Sequence, residues 1–436
     1  MPGPEPLPAG PSDAPPSGLV LSPFRAVRYA TTDRSVLARL TSPAYDLIDT
    51  PSRVALERAD PYNVVRLILP RPDPRTGDDA YARAARTLAD WRASGVLIVD
   101  RAPALYVYEM SDGSSSTRGL VGAVGLHAAS EGVILPHEDT MPGPVRDRLA
   151  LTEATGANFE PIVLVYDGGG PADDVARRHT QEEPLLQILG DDGVLHRVWP
   201  ITDPSALTTV AADLGGRTAV IADGHHRYAG YLLNQQLRRE RSGQDGGGRP
   251  WDRGLAYLVA TGVHGPRVKA IHRILPTLRL ADALEQAAPV FDIIATPVPA
   301  GGPAQLLAGL ERGTFALTDG RSWHILRHPD PAAVAATVDP GHSAAWRDLD
   351  VTLAHALLIG ALWQLPDDEG AVRFGHDLPS TLAAVRAGGT ALLLSPTPAD
   401  SVLAVARAGE RMPRKSTLFV PKPRTGLLLR CYADEL

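Results

Sequence analysis

TAVIADGHHRYAGYLLNQQLRRE, residues 218 to 240, is the stretch on which the fold turns. Ala219, Val220 and Ile221 make a short apolar run suited to a buried strand, Asp223 and Gly224 supply turn chemistry, and Tyr228, Tyr231, Leu232 and Leu237 roughly follow helical spacing. The stretch predicts a strand, a tight turn and a helix that starts within about two residues of His226. A helix start presents backbone N–H groups that lack intrahelical partners, at the positive end of the helix dipole, and so favours an anion. Here that start carries His225, His226 and Arg227, and the planar fork of an arginine suits phosphate. The plainer reading makes Asp223 a helix cap and the histidines hydrogen-bonded turn residues, since short motifs match often by chance. Against it, every residue of Asp-Gly-His-His-Arg except the glycine is polar at a strand exit, which core packing alone would not select.

Working outward, 436 residues exceed one compact core and predict two or three domains. The net charge of −7, with Lys and Arg spread along the chain, argues against nucleic acid or an anionic membrane as the main partner. A small-molecule substrate is expected instead. The single cysteine, Cys431, excludes an internal disulfide and a cysteine-based zinc cluster, and fits a reducing cytoplasm. No apolar run approaches the roughly 20 residues of a membrane span, and the start lacks the layout of a signal peptide.

Residues 1–19 are rich in Pro, Gly and Ser without periodicity and read as a disordered extension. An α/β domain is expected over 20–240. In it, FRAVRY (24–29) and SPAYDLID (42–49) carry aromatics and acids at turn-like positions, 59–70 reads as a loop feeding a strand, and 81–100 is an amphipathic helix stopped by Gly95. A hairpin is predicted across the DGSSS turn at 112–116. The stretch from 134 to 166 opens with His137, Glu138 and Asp139 before a helix, so Glu138 or His137 is a candidate base facing the 223–227 turn; a solvated charged loop is the competing reading. RSGQDGGGRP, about 241 to 250, is the strongest internal linker signal, read as a domain boundary or a long surface loop. A second α+β domain is expected over 251–400, in which His272 is more readily a packed histidine than a functional one. The segment 401–436 reads as a basic loop and a strand that packs back on the core. Lys415, Ser416 and Thr417 there fail as a P-loop, because Arg414 stands where that motif needs Gly, but their side chains are candidates for touching phosphate.

FRAVRY, SPAYDLID, LPHEDT with VRDRLALTEATGANFEPI, IADGHHRY and GERMPRKSTLFVPKPRTGL together resemble the domain of unknown function 1015 family, from about Pro23 to Leu429. The DGHHR turn also resembles the phosphate-binding turn of the ParB/sulfiredoxin superfamily, most closely its free-serine kinase branch. Sulfiredoxin chemistry needs a cysteine where His225 or His226 stands, and ParB-like partitioning needs a basic helix-turn-helix that this acidic chain lacks. The resemblance implies an α/β or α+β protein with a mixed-sheet nucleotide-binding core, carrying that phosphate turn, plus a second α+β domain.

The expected function is a phosphotransferase using ATP or ADP with Mg²⁺ on a small hydroxylated metabolite, a free amino acid such as serine being one candidate. Gly224, His225, His226 and Arg227 would hold phosphate, with Lys415, Ser416 and Thr417 as further contacts. Glu138 is the first candidate base and Asp223 the second, either of which can instead position Mg²⁺ through water; His226 is a candidate acid or base. The alternatives are a nucleotide-binding regulatory protein without turnover, and a metal-dependent hydrolase ligated by His225, His226, His137 and Glu138.

Overall fold

The strand expected at 219–221 runs from Ala219 to Asp223, and all its apolar residues are buried because it has a core on each face. Val220 and Ala222 enter one hydrophobic cluster, Ala219 and Ile221 the other. Such a strand reads as a continuous apolar run instead of an alternation. The computed structural model describes residues 18–243, 247–262, 264–366, 368 and 370–435.

Nine strands form the main sheet: β1 Leu21–Ser22, β2 Leu105–Ser111, β3 Ser116–Gly125, β4 Ile134–Pro136, β5 Ile162–Tyr166, β6 Leu186–Leu189, β7 Leu195–Ile201, β8 Ala219–Asp223 and β9 Arg253–Ala260. Their order is β4-β8-β5-β9-β3-β2-β7-β6, with β1 added to β3. The sheet is mixed, since β8 runs parallel to β4 but antiparallel to β5, and β9 runs parallel to β5 but antiparallel to β3. The hairpin expected across 112–116 is present as β2 and β3, closed by the Ser111–Ser116 pair. Helix α2, His225–Ser242, follows β8 directly, packs on α1, Pro142–Thr155, and buries Tyr228 and Tyr231 against one face of the sheet. The fold is α/β, with a mixed main sheet and further smaller sheets.

Three sequence expectations need correction or a limit. Residues 65–68 are a short helix, not a strand, started by the Asn63 side chain accepting from the Val65 N–H. A brief apolar run is compatible with either element. The Gly-rich stretch at 241–250 closes α2 at Gly243, which has φ 61°, but it divides nothing, because β9 beyond it lies inside the main sheet between β5 and β3. Residues 244–246 lie outside the described residues. Of the extension expected over 1–19, residues 1–17 also lie outside them, while Leu19 is fully packed and its N–H donates to the Arg217 carbonyl.

After β9 the chain builds a six-stranded antiparallel sheet in the order 292–295, 323–327, 315–318, 390–393, 272–275, 373–375. The tail then returns: Leu418–Val420 pairs with Arg267–Lys269, Thr425 bridges to Ser42, Leu429 to Val27, and Arg430–Cys431 pairs with Ala157–Asn158. Arg430 fastens it, donating to Asn158 and to the carbonyls of Arg253 and Pro250 from a fully buried position. No described helix is long and apolar enough to cross a membrane.

Candidate functional site

Where β8 ends, its register against β5 shifts between Ile221 and Asp223, and the backbone turns through Gly224 at φ 94° into the start of α2 at His225. Only glycine fits this position without strain, and space demands it as well, since a Cβ here would meet the Arg227 guanidinium at 3.0 Å. Gly224 is the residue before the helix and offers no capping side chain, and no acidic residue stands in the first turn. The start of this 18-residue helix, residues 224–227, thus lines the cleft in front of it, and its opening N–H groups carry no side-chain cap.

That cleft has a volume of about 390 Å³. The turn from Asp223 to Arg227, Glu138, Lys415 and Thr417 all line it, so the structure brings together most of the residues singled out from sequence. Tyr45, Asp46, His376 and Lys422 line it too, and the sequence reading did not single them out. Three of them left a weak signal, because Tyr45 and Asp46 lie in SPAYDLID and Lys422 in VPKP, whereas His376 lies in none of the motifs.

The side chains fall into two sets. The first builds the turn. Arg227, expected to hold phosphate, is buried and has Nη1 on the Pro161 carbonyl at 2.6 Å and Nη2 on Asp223 at 2.5 Å, which leaves only its buried Nε without a partner among the described residues. Asp223 is committed on both oxygens, to Arg227 and, through Oδ1, to Lys422 at 2.7 Å, while Lys422 also pairs with Asp46. Burial alone would raise the Asp223 carboxyl, but Lys422 and Arg227 more than offset it and hold it below the usual range. A carboxylate so placed is no general base.

The histidines are likewise held. His137 must donate from Nδ1 to the Ile221 carbonyl at 2.6 Å, because a carbonyl only accepts, which leaves Nε2 to accept from the Thr417 hydroxyl at 2.9 Å. His225 accepts at Nε2 from the His137 N–H, and the two rings meet edge to face at 4.6 Å. Burial pushes His137 down to about 4, and burial together with His137 lowers His225 well below the ordinary histidine value. Both are neutral braces, which removes His137 as a base and His225 as a phosphate ligand. Ser416 is buried and donates to the Pro413 carbonyl, so its hydroxyl is turned inward, away from the cleft. His272 is also packed, accepting from the Leu394 N–H.

The second set faces the cleft with atoms to spare. Glu138 forms no hydrogen bond with any described residue, and burial raises its carboxyl, an effect that Lys415 opposes and Asp223 reinforces. Lys415 is exposed, pairs with no carboxylate among the described residues, and has φ 54°, a conformation a non-glycine residue rarely adopts and one that gathers at functional sites. His226 is half-buried and accepts from the Met141 N–H at 3.0 Å through Nε2, leaving Nδ1 as a donor; burial, then Lys415, lowers its pKa. Thr417, whose proton goes to His137, offers the cleft only oxygen lone pairs. Among the described residues no three His, Cys, Asp or Glu side chains converge as a metal cage, which leaves the hydrolase alternative without its ligand set.

The sequence model of a family described as "Protein of unknown function (DUF1015)" matches residues 21–352. The chain is a DUF1015 protein. Within this family match lie Asp46, Glu138 and the whole 223–227 turn, whereas Lys415, Thr417 and Lys422, which the sequence resemblance also counted, lie beyond it. Comparison with curated proteins finds no match. Among solved structures, a C-terminally truncated SbnI from Staphylococcus aureus is 10% identical, with 71% of this chain and 87% of that chain covered and a TM-score of 0.35. A conserved hypothetical protein from Pyrococcus furiosus is 13% identical, covering 70% and 94%, with a TM-score of 0.32. A free serine kinase variant in complex with ADP is also 13% identical, covering 66% and 84%, with a TM-score of 0.32. At these scores the likeness decides nothing about the ligand or the reaction of this chain.

Proposed function

We propose that this DUF1015 protein is a phosphotransferase that moves a phosphoryl group from ATP or ADP to a small hydroxylated metabolite. The observation that carries the reading is Glu138, a carboxyl with no hydrogen bond of its own and a raised pKa, on a cleft that it shares with an uncapped helix start and the unpaired Lys415. Phosphoryl transfer asks for little else: donors that hold the phosphates, cations that spread their charge, and a base that orients the attacking hydroxyl.

In this reading the N–H groups at the start of α2, Nδ1 of His226 and the Lys415 ammonium hold the phosphates. The acceptor hydroxyl forms the new O–P bond as the terminal P–O bond of the nucleotide breaks, and its proton passes to Glu138. The nucleotide leaves one phosphate shorter, its new charge facing Lys415. Arg227 acts one step back, fixing Asp223 and the Gly224 turn so that the amides keep their aim. Mg²⁺ is usually held by one or two carboxylates and the substrate phosphates. The donor set fits, since Asp46 lines the cleft and only its Oδ2 is taken by Lys422, so that its Oδ1 would help hold the ion while Glu138 stays free as the base. When bound, the ion would neutralise phosphate charge.

Calorimetric titration of ATP, ADP and pyrophosphate, with and without Mg²⁺, tests this, paired with an assay of nucleotide consumption over a panel of hydroxylated amino acids and sugars. Glu138→Gln is expected to keep nucleotide binding and lose turnover by about 10²- to 10⁴-fold. Lys415→Ala is expected to weaken binding by about 1.5–3 kcal/mol, the range for a hydrogen bond to a charged group. Binding without consumption of any nucleotide would make the protein a regulatory module instead. No binding at millimolar concentration would end the reading.

A further inference from the structure

A second cavity, of about 170 Å³, also has Glu138 in its lining. Only Glu138 and His225 line both cavities, and His225 has Nε2 tied to the backbone of His137. Glu138 is thus the side chain with free polar atoms that reaches both spaces. The two differ in chemistry. The larger carries the unpaired Lys415 and the helix start, with Lys422 held between Asp46 and Asp223, while the smaller is walled mainly by Ile134, Pro136, Ile221, Tyr228 and Leu232, with Asp139 and Thr140 among its polar residues. Tyr228 contributes only its ring, because its hydroxyl is held between the N–H and carbonyl of His127. At the rim stands Arg411, with Nη1 on the Pro136 carbonyl at 2.9 Å and Nε 3.8 Å from Asp139, which leaves the Nη2 edge for an incoming carboxylate.

We propose that this smaller cavity is the acceptor subsite and that it takes a small alcohol with an apolar carbon skeleton and a carboxylate at the end away from the hydroxyl. The proposal rests on the phosphotransferase reading and says which acceptors it uses. A base in transfer must touch the attacking hydroxyl while the phosphoryl group lies beyond it, and Glu138, which lines both the cavity that holds Lys415 and the mainly apolar one, meets that need. The volume is below the usual 300–1,000 Å³ of sites for drug-sized ligands, so the acceptor is smaller than these. An acceptor as polar as free serine would leave the apolar wall unused. Each methylene that reaches the wall should strengthen binding about fourfold.

The test is calorimetric binding of a series of ω-hydroxy carboxylic acids of rising chain length to the full chain, with ATP and ADP titrated separately. Two variants change the smaller cavity and leave the larger alone. Ala229→Leu fills it, and Leu232→Ala enlarges it; both residues line only the smaller cavity. The expected result is affinity that rises about fourfold per methylene up to a limit in wild type, no such rise in Ala229→Leu, and a limit moved to longer acids in Leu232→Ala, with nucleotide affinity the same in all three. The corresponding amides should bind less tightly than the acids. Should no acid bind at millimolar concentration, or both variants bind the series as wild type does, the subsite assignment is overturned even if nucleotide binds. If the acids bind as described but no nucleotide does, the phosphotransferase reading fails and the cavity assignment as a hydroxy-acid site stands.

Discussion

Replacing Arg227 by alanine separates two roles for a cation at a helix start. If the guanidinium holds phosphate, the variant should fold normally and lose nucleotide; if it braces the turn, the variant should lose stability first. Its side chain is 7% exposed, with one ion pair at 2.5 Å and one carbonyl contact at 2.6 Å. Breaking a buried ion pair costs about 3–5 kcal/mol, and here the lower end applies, because Asp223 keeps Lys422 at 2.7 Å. The abandoned Pro161 carbonyl adds about 1 kcal/mol or more. Arg227→Ala should therefore cost about 4 kcal/mol, a large part of the ~5–15 kcal/mol that keeps a typical domain folded. Urea unfolding followed by circular dichroism gives the comparison, with Lys415→Ala as the contrasting variant. That exposed lysine should unfold within about 0.5 kcal/mol of wild type. The reasoning is refuted if Arg227→Ala unfolds at the wild-type urea concentration yet no longer binds nucleotide.

Gly224→Ala should destabilise by more than Gly243→Ala, as urea midpoints would show: both add a side chain at positive φ, about 1–2 kcal/mol, but at 224 the φ of 94° lies further from the left-handed region and the Cβ meets the Arg227 guanidinium. In kcat/KM profiles the acid limb should lie above the ordinary glutamate value, because burial raises Glu138; Lys415→Met should move it higher still by removing the cation that opposes the rise, and an unmoved limb would take Glu138 out of the chemistry. Burial depresses His137 to about 4, His196 to about 3 and His272 to about 4 from 6.5, and takes His225 well below 6.5 too. The folded state then binds fewer protons than the unfolded one below pH 6.5, so their contribution is fully present above 6.5 and is lost as pH falls toward 4. Thermal unfolding at constant ionic strength should show the fall, and His137→Gln should shrink it.

How much of the molecule was legible in the sequence depends on the range of each interaction. The strand, turn and helix at 219–242 are written in neighbouring residues, and the order Ala219, Val220, Ile221 is what a strand between two cores requires. Residue types named Glu138 and Lys415 as candidates but did not tell which donors were already committed. Arg227 and Ser416 look like phosphate ligands until the Pro161 and Pro413 carbonyls are seen to hold them. The Asp46–Lys422–Asp223 chain was missed because no local pattern links residues so far apart. The glycines at 241–250 mark the end of α2 at Gly243, but they do not say whether the next strand joins the same sheet.

The pairing of Asp46 with Lys422 spans 376 positions. At about 5–20 residues per second, a ribosome reaches the lysine roughly 20 to 75 seconds after the aspartate. During that interval the turn at 223–227 can form, but its carboxylate lacks the Lys422 ammonium, and the wall that bears Lys415 and Thr417 has not been made. A nascent chain therefore carries the helix start without a finished anion site, and competence for ligand arrives as a late event of synthesis. Any product terminated before residue 415 would lack the Lys415 and Thr417 wall of the cleft however well its main sheet folds, which makes a complete cleft a report on translation carried that far.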